Sequence, residues 1–306
     1  MTNMCNQNQE CHVRTGERVD DMIIPEYPQS ADLTLPMRGI LHPLFKKLPD
    51  GISEFTFANL YLFRATHKYH ICKLDGTYVI TGTDERMPFF MLPFGLPSQK
   101  TLDQLFRQFS SLKCATETQA AELIKLGYKV SEDRDNFDYL YLRKELTELT
   151  GKKFHKKRTH LKAFLNNYNY EGRPLLEEYI PDALAILESW RENRDDAGDY
   201  QAAKEALEKA EELQLCGGIY YVESKPAAYS LGEELCQGRS FVIHFEKAVQ
   251  EYRGLWQFVN QAFASILPEH YETINREQDL GNEGLRKAKL SYRPTDFVKK
   301  YRVSEV

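Results

Sequence analysis

The sequence has no apolar run near the roughly 18 residues that a membrane-crossing helix requires, so no membrane span is expected. Its opening stretch, Met1–Asp21, has no apolar segment of the kind a secretory leader carries; it reads as a polar tail, with the cytoplasm as the default compartment. Six cysteines stand at positions 5, 11, 72, 114, 216 and 236, and none forms a CxxC pair. Such isolated thiols fit reduced, often buried side chains better than a disulfide framework. Cys5, Cys11 and His12 are too few ligands for a closed zinc site, so no metal is expected. His67 and His70 stand three apart without a third ligand nearby, and no Ser–His–Asp order suggests a nucleophilic triad.

What is present is a chain of 306 residues, 42% apolar and 28% charged, enough for about two domains with real cores and solvated surfaces. The formal net charge of −5 argues against a general nucleic-acid binder. Its distribution is uneven. Residues 151–173 and 285–302 together carry fourteen Lys/Arg and only two acids, Glu171 and Asp296, which leaves −17 on the rest of the chain. Positive charge concentrated on an acidic background can attract an anionic ligand, although basic helix faces are often merely solvated.

Periodicity suggests the same plan twice. In the first half, a helix is expected over Ser53–Arg64 with Ser53 as its cap, and a hairpin over His70–Lys73 and Thr77–Thr81 around Leu74-Asp75-Gly76. A buried strand is expected at Pro88–Pro93. A helix at Thr101–Leu112, with Thr101 and Gln104 at capping-box spacing, and another at Thr116–Leu126 follow. A strand at Tyr139–Leu142 leads to a basic helix over Gly151–Asn166, with Phe154, Leu161, Phe164 and Leu165 inward. In the second half, Asp182 caps a helix to about Asn193, and Tyr200–Leu215 forms another. Strands are expected at Gly218–Glu223, Ala227–Leu231, Phe241–Phe245 and Thr273–Asn275, with helices at Leu255–Leu267 and Gly281–Leu290. The expected organisation is a tail over 1–25 and two α+β units over 26–165 and 166–306, each a mixed, mostly antiparallel sheet flanked by helices.

Specific strings sharpen this reading. Asp138-Tyr139-Leu140-Tyr141-Leu142, then Gly151 to Arg158, then Asn275-Arg276-Glu277-Gln278-Asp279-Leu280-Gly281 followed by Gly284 to Pro294, resemble the DUF2156 group. That group is similar to the C-terminal domain of phosphatidylglycerol lysyltransferase. The resemblance covers nearly all of the chain after about residue 25. It implies two GNAT-type folds in tandem and an aminoacyl- or acyl-transferase, with charged tRNA as possible donor and a lipid headgroup as possible acceptor. The membrane-spanning part of the lysyltransferases has no counterpart here, which leaves the acceptor open.

The residues qualify the donor. An acetyl-CoA enzyme of this fold carries a Q/R-x-x-G-x-G/A loop whose amides face the pyrophosphate at a helix start. Glu251-Tyr252-Arg253-Gly254-Leu255-Trp256 keeps only the central glycine, so acetyl-CoA is the less favoured cofactor, although Arg253 and Gly254 could still hold some anion. Arg286, Lys287, Lys289, Tyr292 and Arg293, with His155, Lys157 and Arg158 from the mid-chain basic segment, are the candidate substrate-binding residues. Asn275, Glu277 and Asp279 alternate and would face one side of an extended strand, where a carboxylate could bind an ammonium or accept its proton. The expected catalytic picture is a pocket enclosed by the basic helix and this carboxylate strand. The alternatives are an acetyl-CoA-dependent N-acetyltransferase and a non-catalytic protein that binds an anionic metabolite or RNA.

Overall fold

The computed structural model describes residues 24–192, 194 and 197–305. The polar tail and the Cys5/Cys11/His12 group lie outside the described residues, apart from Ile24 and Pro25. Two seven-stranded sheets are built to one plan. The first contains, in spatial order, β1 (Ala31–Asp32), β2 (His70–Leu74), β3 (Thr77–Asp84), β4 (Met87–Met91), β5 (Ser111–Ala115), β14 (Tyr301–Ser304) and β6 (Lys129–Glu132). The second contains β8 (Tyr170–Pro174), β9 (Cys216–Val222), β10 (Lys225–Leu235), β11 (Ser240–Ala248), β12 (Thr273–Asn275), β7 (Asp138–Leu142) and β13 (Asp296–Val298). Four antiparallel strands are followed in each by one parallel pair, β4/β5 and β11/β12. The expected α+β class with two mixed, mostly antiparallel sheets is therefore what the chain adopts.

The sixth strand of each sheet comes from the other half. β7 pairs with β12 and β13, and β14 pairs with β5 and β6. A cut near residue 165 thus does not partition the strands, because the two halves exchange their last strands reciprocally. At the start of the exchanged strands, Asp138 and Lys300 meet at 2.7 Å, both fully buried. Asp138 also accepts from the Ser53 amide (2.9 Å), the Ser53 hydroxyl (2.9 Å) and Asn275 Nδ2 (3.1 Å), and Glu54 takes a second bond from Lys300.

The first-half helices are α1 (Arg38–Phe45), α2 (Phe57–Leu62), α3 (Arg64–His67), α4 (Gln99–Phe106), α5 (Glu117–Lys125), α6 (Arg143–Glu148) and α7 (His155–Asn167). The second half has α8 (Ile180–Glu192), α9 (Tyr200–Glu208), α10 (Ala210–Leu213), α11 (Leu255–Ile266) and α12 (Glu283–Leu290). Three apolar cores result. One packs α4 and α5 on the first sheet, one packs α6, α7 and α11 on the second, and a central core draws on both halves.

Several local expectations are corrected. Thr56, not Ser53, caps the helix, and Ser53 is consumed by Asp138. Ser98 caps α4, which ends at Phe106 because Ser111–Ala115 is a fully buried strand; the Thr101/Gln104 spacing forms no capping box. A complete box instead joins Thr116 and Gln119 on α5. Phe154, just before α7, and Phe164 within it are buried as expected, but Leu165 is 39% exposed. No helix among the described residues is long and apolar enough to cross a membrane.

Candidate functional site

The second sheet opens where its parallel strands part. The register of β11 with β12 runs Ser240↔Thr273, Phe241↔Ile274 and Val242↔Asn275, and there it stops, while β11 continues to Ala248. After Asn275 the chain turns away, with Glu277 at φ 53°. On its other edge β11 is bulged. Gly232 pairs with Ile243 and Leu231 with Phe245, which leaves His244 as the extra residue. Bulges re-aim side chains, and they recur beside active sites. Glycine is required opposite this one, because a Cβ at Gly232 would come within 1.9 Å of the Val242 carbonyl oxygen.

Two side-chain bridges span the opening. On the face of the central core, His244 Nδ1 lies 2.8 Å from Glu277 Oε1, and Nε2 lies 3.0 Å from Glu233 Oε1. Asn59 Nδ2 donates to the same Glu277 oxygen at 3.2 Å. The bulge flips the following residues, so Glu246 faces the other core, where Arg276 Nη2 donates to it at 2.6 Å and Ser230 Oγ at 3.3 Å. Burial opposes charge on the His244 ring, but the bonds to Glu233 and Glu277 outweigh it and raise the imidazole to about 10. It is thus an imidazolium near neutral pH. Glu277 is the more open carboxylate, its side chain 16% exposed against 4% for Glu233, and its Oε2 accepts no hydrogen bond from a described residue.

A shallow depression reaches Glu233 from outside, lined by His42, Lys46, Phe55, Thr56 and Glu234 among others. Arg38, His42 and Lys46 recur every fourth residue, so they share one side of α1 and its end. Lys46 pairs with Glu234 at 3.2 Å. Burial, followed by the charge of Arg38, lowers the His42 imidazole. Nε of Arg38 is buried without a partner, although its Nη2 donates to Gln214 Oε1 at 2.6 Å.

The sequence-predicted residues gather beside this opening in a different arrangement from the expected one. Asn275, Glu277 and Asp279 do not share a strand face, because β12 ends at Asn275. Asn275 turns to Asp138 and to the Gly51 carbonyl (3.0 Å), Glu277 to His244, and Asp279 to Arg286 and Tyr139. Burial works against the Asp279 carboxylate, but hydrogen bonds from Arg286 and Tyr139 hold it well below the usual carboxylate range. Arg286 meets it at 2.7 Å and Asp135 at 2.6 Å. Lys289 donates to the carbonyls of Arg276, Glu277 (3.0 Å) and Gln278 (2.7 Å), and burial lowers it to about 8. The basic helix and the carboxylate loop are therefore fastened directly to each other instead of enclosing a pocket. Lys287 is exposed beside Glu283, and Arg293 is exposed.

On the far side of the opening, Lys157 of α7 donates to Ser291 Oγ at 2.6 Å and lies 3.7 Å from the ring centre of Tyr292. Arg276 approaches the same ring at 5.6 Å. Burial, then the charge of Arg276, brings Lys157 down to about 8. Arg158 donates to the carbonyls of Leu149 and Gly151, which ties down the turn before α7, and His155 is exposed. Gly254, at φ 89°, starts α11, and a Cβ there would meet the His160 carbonyl oxygen of α7 at 2.3 Å. The loop that would cradle a pyrophosphate in an acetyl-CoA enzyme is thus covered by α7, and Arg253 points outward beside it.

The family model for the C-terminal region of phosphatidylglycerol lysyltransferase matches residues 45–304. The chain belongs to this family. A conserved protein of unknown function from Bacteroides thetaiotaomicron has a similar structure, at 30% identity with TM-score 0.82, and the match covers 90% of this chain and 99% of that one. The DUF2156 domain of a putative lysylphosphatidylglycerol synthetase from Agrobacterium fabrum shares the fold at 12% identity (TM-score 0.60, 88% and 92% covered). So does L-PGS from Bacillus licheniformis (12%, TM-score 0.56, 92% and 94%). An uncharacterized protein of Mycoplasmoides gallisepticum is 26% identical over 200 residues, which span 60% of this chain and 62% of that protein.

Within this phosphatidylglycerol lysyltransferase C-terminal fold, His244, Glu233, Arg276, Glu246 and Asn59 are the residues that sequence reasoning missed. A signal existed for one of them. His244 interrupts the apolar run Phe241-Val242-Ile243-His244-Phe245, and a polar side chain inside a buried strand must have partners. Those partners come from β10 and from residue 277, which no local pattern connects.

Proposed function

We propose that this chain is an aminoacyl- or acyl-transferase whose reacting ester lies at the opening between β11 and β12. The observation that carries the reading is the buried His244 imidazolium held between Glu233 and Glu277 at a bulge, with a free Glu277 oxygen beside it. An amine or hydroxyl attacks the ester carbonyl, a new C–N or C–O bond forms, and the donor's ester C–O bond breaks. Glu277 binds the acceptor ammonium or takes its proton, which passes to the leaving oxygen of the donor as the ester bond breaks, while the positive charges of His244 and Arg276 flank the opening from its two faces. Asn275 and Asp279 hold the two ends of the 276–278 loop, and Lys289 caps its carbonyls, so these are positioning residues.

Charged tRNA is the favoured donor, and the cytoplasm, which holds charged tRNA, is the compartment that suits it. The helix α7 packed on Gly254 disfavours coenzyme A. The acceptor carries an amine or hydroxyl, with a lipid headgroup among the candidates. The test is transfer of radiolabelled amino acid from a charged tRNA mixture to lipid and to water-soluble amines, with wild type and Glu277→Gln. Transfer by the wild type, lowered about 10²- to 10⁴-fold in the variant, supports the reading. If acetyl-CoA alone raises the unfolding midpoint and acetyl groups reach an amine, the N-acetyltransferase reading replaces it. If no donor reacts but an anionic metabolite or RNA stabilises the protein, it is a binding protein.

A further inference from the structure

We infer that Asp138 is a positioning residue for Glu277: it fixes the Asn275 side-chain amide, and that amide sets the backbone turn that aims the Glu277 carboxylate at His244; its catalytic consequence rests on the transferase reading above. Glu277 stands at φ 53°, a left-handed conformation that a non-glycine residue keeps only when its surroundings hold it. Its carbonyl accepts from the Tyr139 amide at 3.3 Å and from Lys289 at 3.0 Å. Its amide donates to Asn275 Oδ1 at 2.8 Å, a bond from backbone to the side chain two residues earlier. Asn275 is fully buried, so its neighbours decide which way its amide faces. Nδ2 has two acceptors, the Gly51 carbonyl oxygen at 3.0 Å and Asp138 Oδ2 at 3.1 Å, and these turn Oδ1 toward Glu277. The residue after Glu277 is held from the same carboxylate. Gln278 Nε2 donates to Ser53 Oγ at 3.1 Å, and that hydroxyl lies 2.9 Å from Asp138 Oδ1.

The two oxygens of Asp138 have separate partners. Oδ1 faces Lys300 at 2.7 Å and the Ser53 hydroxyl, while Oδ2 faces the Ser53 amide at 2.9 Å and Asn275. In Asp138→Asn one oxygen becomes an NH2 group. The Lys300 ammonium claims the oxygen that is left, because a charged donor bonds more strongly than a neutral one. The new NH2 then meets the Ser53 and Asn275 N–H groups, donor against donor. Asn275 turns its own oxygen toward it, and the Glu277 amide loses its acceptor. With Lys300→Met added, no cation claims that oxygen. The NH2 turns toward the Ser53 hydroxyl, and the oxygen returns to Asn275. Lys300→Met alone keeps both carboxyl oxygens, with Oδ2 still accepting from Asn275.

The experiment follows the two ring nitrogens of His244 in the whole chain, labelled in its histidines, by proton–nitrogen correlation spectra between pH 6 and 9, with His244→Gln assigning the signals. In wild type both nitrogens stay predominantly protonated. In Asp138→Asn the ring is expected to lose a proton about 1–3 pH units earlier, the amount one carboxylate partner contributes. The proton leaves Nδ1, which faces Glu277, while Nε2 keeps its proton toward Glu233. Lys300→Met, and Asp138→Asn with Lys300→Met, are expected to show wild-type nitrogens although both unfold at lower denaturant, so lost stability alone does not imitate the effect. Wild-type nitrogens in folded Asp138→Asn, or the same change in all three variants, overturn the positioning role and leave the proposed reaction standing. Should Asp138→Asn not fold, Asn275→Ala removes the Glu277 acceptor directly; it is expected to show the same Nδ1 change, and wild-type nitrogens there overturn the role. Transfer of labelled amino acid is measured on the same proteins, with kcat expected to fall in step with the Nδ1 proton and KM to stay within about twofold. An unaltered kcat in a variant that has lost the Nδ1 proton overturns the role given to Glu277 and leaves Asp138 as the residue that positions it.

Discussion

His244 offers a quantitative check on the candidate site. Burial opposes its charge, but the ring still rises from an ordinary 6.5 to about 10 because a carboxylate is bonded to each of its nitrogens. At about 1.4 kcal/mol per pH unit of displacement, the folded state gains about 5 kcal/mol from the charged ring. Because the folded value lies above the unfolded one, this contribution is complete below pH 6.5 and is lost as pH climbs through about 10. Urea unfolding of wild type and His244→Gln at pH 6, 7.5 and 9 measures it. The difference between the two proteins should shrink by about 3 kcal/mol or more between pH 6 and 9, and the two imidazole nitrogens of labelled protein should stay protonated at pH 8 in the folded state. A folded-state ring that titrates below pH 7, or a stability difference flat across that range, would refute the bridge and with it the charge assigned to the opening.

Two further outcomes follow from buried geometry. Lys300→Met strips the buried Asp138, and Glu54 beside it, of their shared cation and should lower stability by about 3–5 kcal/mol, whereas Asp138→Asn with Lys300→Met should recover part of the loss; denaturant midpoints of the single and double variants decide this. Gly254→Ala combines a positive φ with a 2.3 Å approach to the His160 carbonyl oxygen, so it should cost about 1–3 kcal/mol and loosen α7, seen as a lower unfolding midpoint and faster amide exchange in His155–Asn167.

Local chemistry made much of the fold legible. The Asp75-Gly76 turn pairs His70–Leu74 with Thr77–Asp84 as expected, and the helices near 117–125, 155–167 and 255–266 lie where apolar periodicity puts them. Single residues misled where a distant partner claimed them. Ser53 has the chemistry of a cap, but Asp138, 85 residues away, offers it two bonds at full burial. The alternation of Asn275, Glu277 and Asp279 holds only for an extended chain, and the positive φ at Glu277 ends it. The reciprocal exchange of β7 and β14 leaves no trace in any window of the sequence, because its determinants are sheet edges more than a hundred residues apart. For the same reason the sequence pointed to the right neighbourhood, the stretch from Asn275 to Tyr292, but not to the imidazole it surrounds.

The exchanged strands also constrain how the protein is born. While the ribosome is still adding the second half, β5 and β6 stand with a vacant slot between them, which Tyr301–Ser304 fills once that half has been made. Until then the first sheet presents two unpaired edges of the kind that recruit foreign strands. Deleting these few residues should therefore harm solubility far out of proportion to their number.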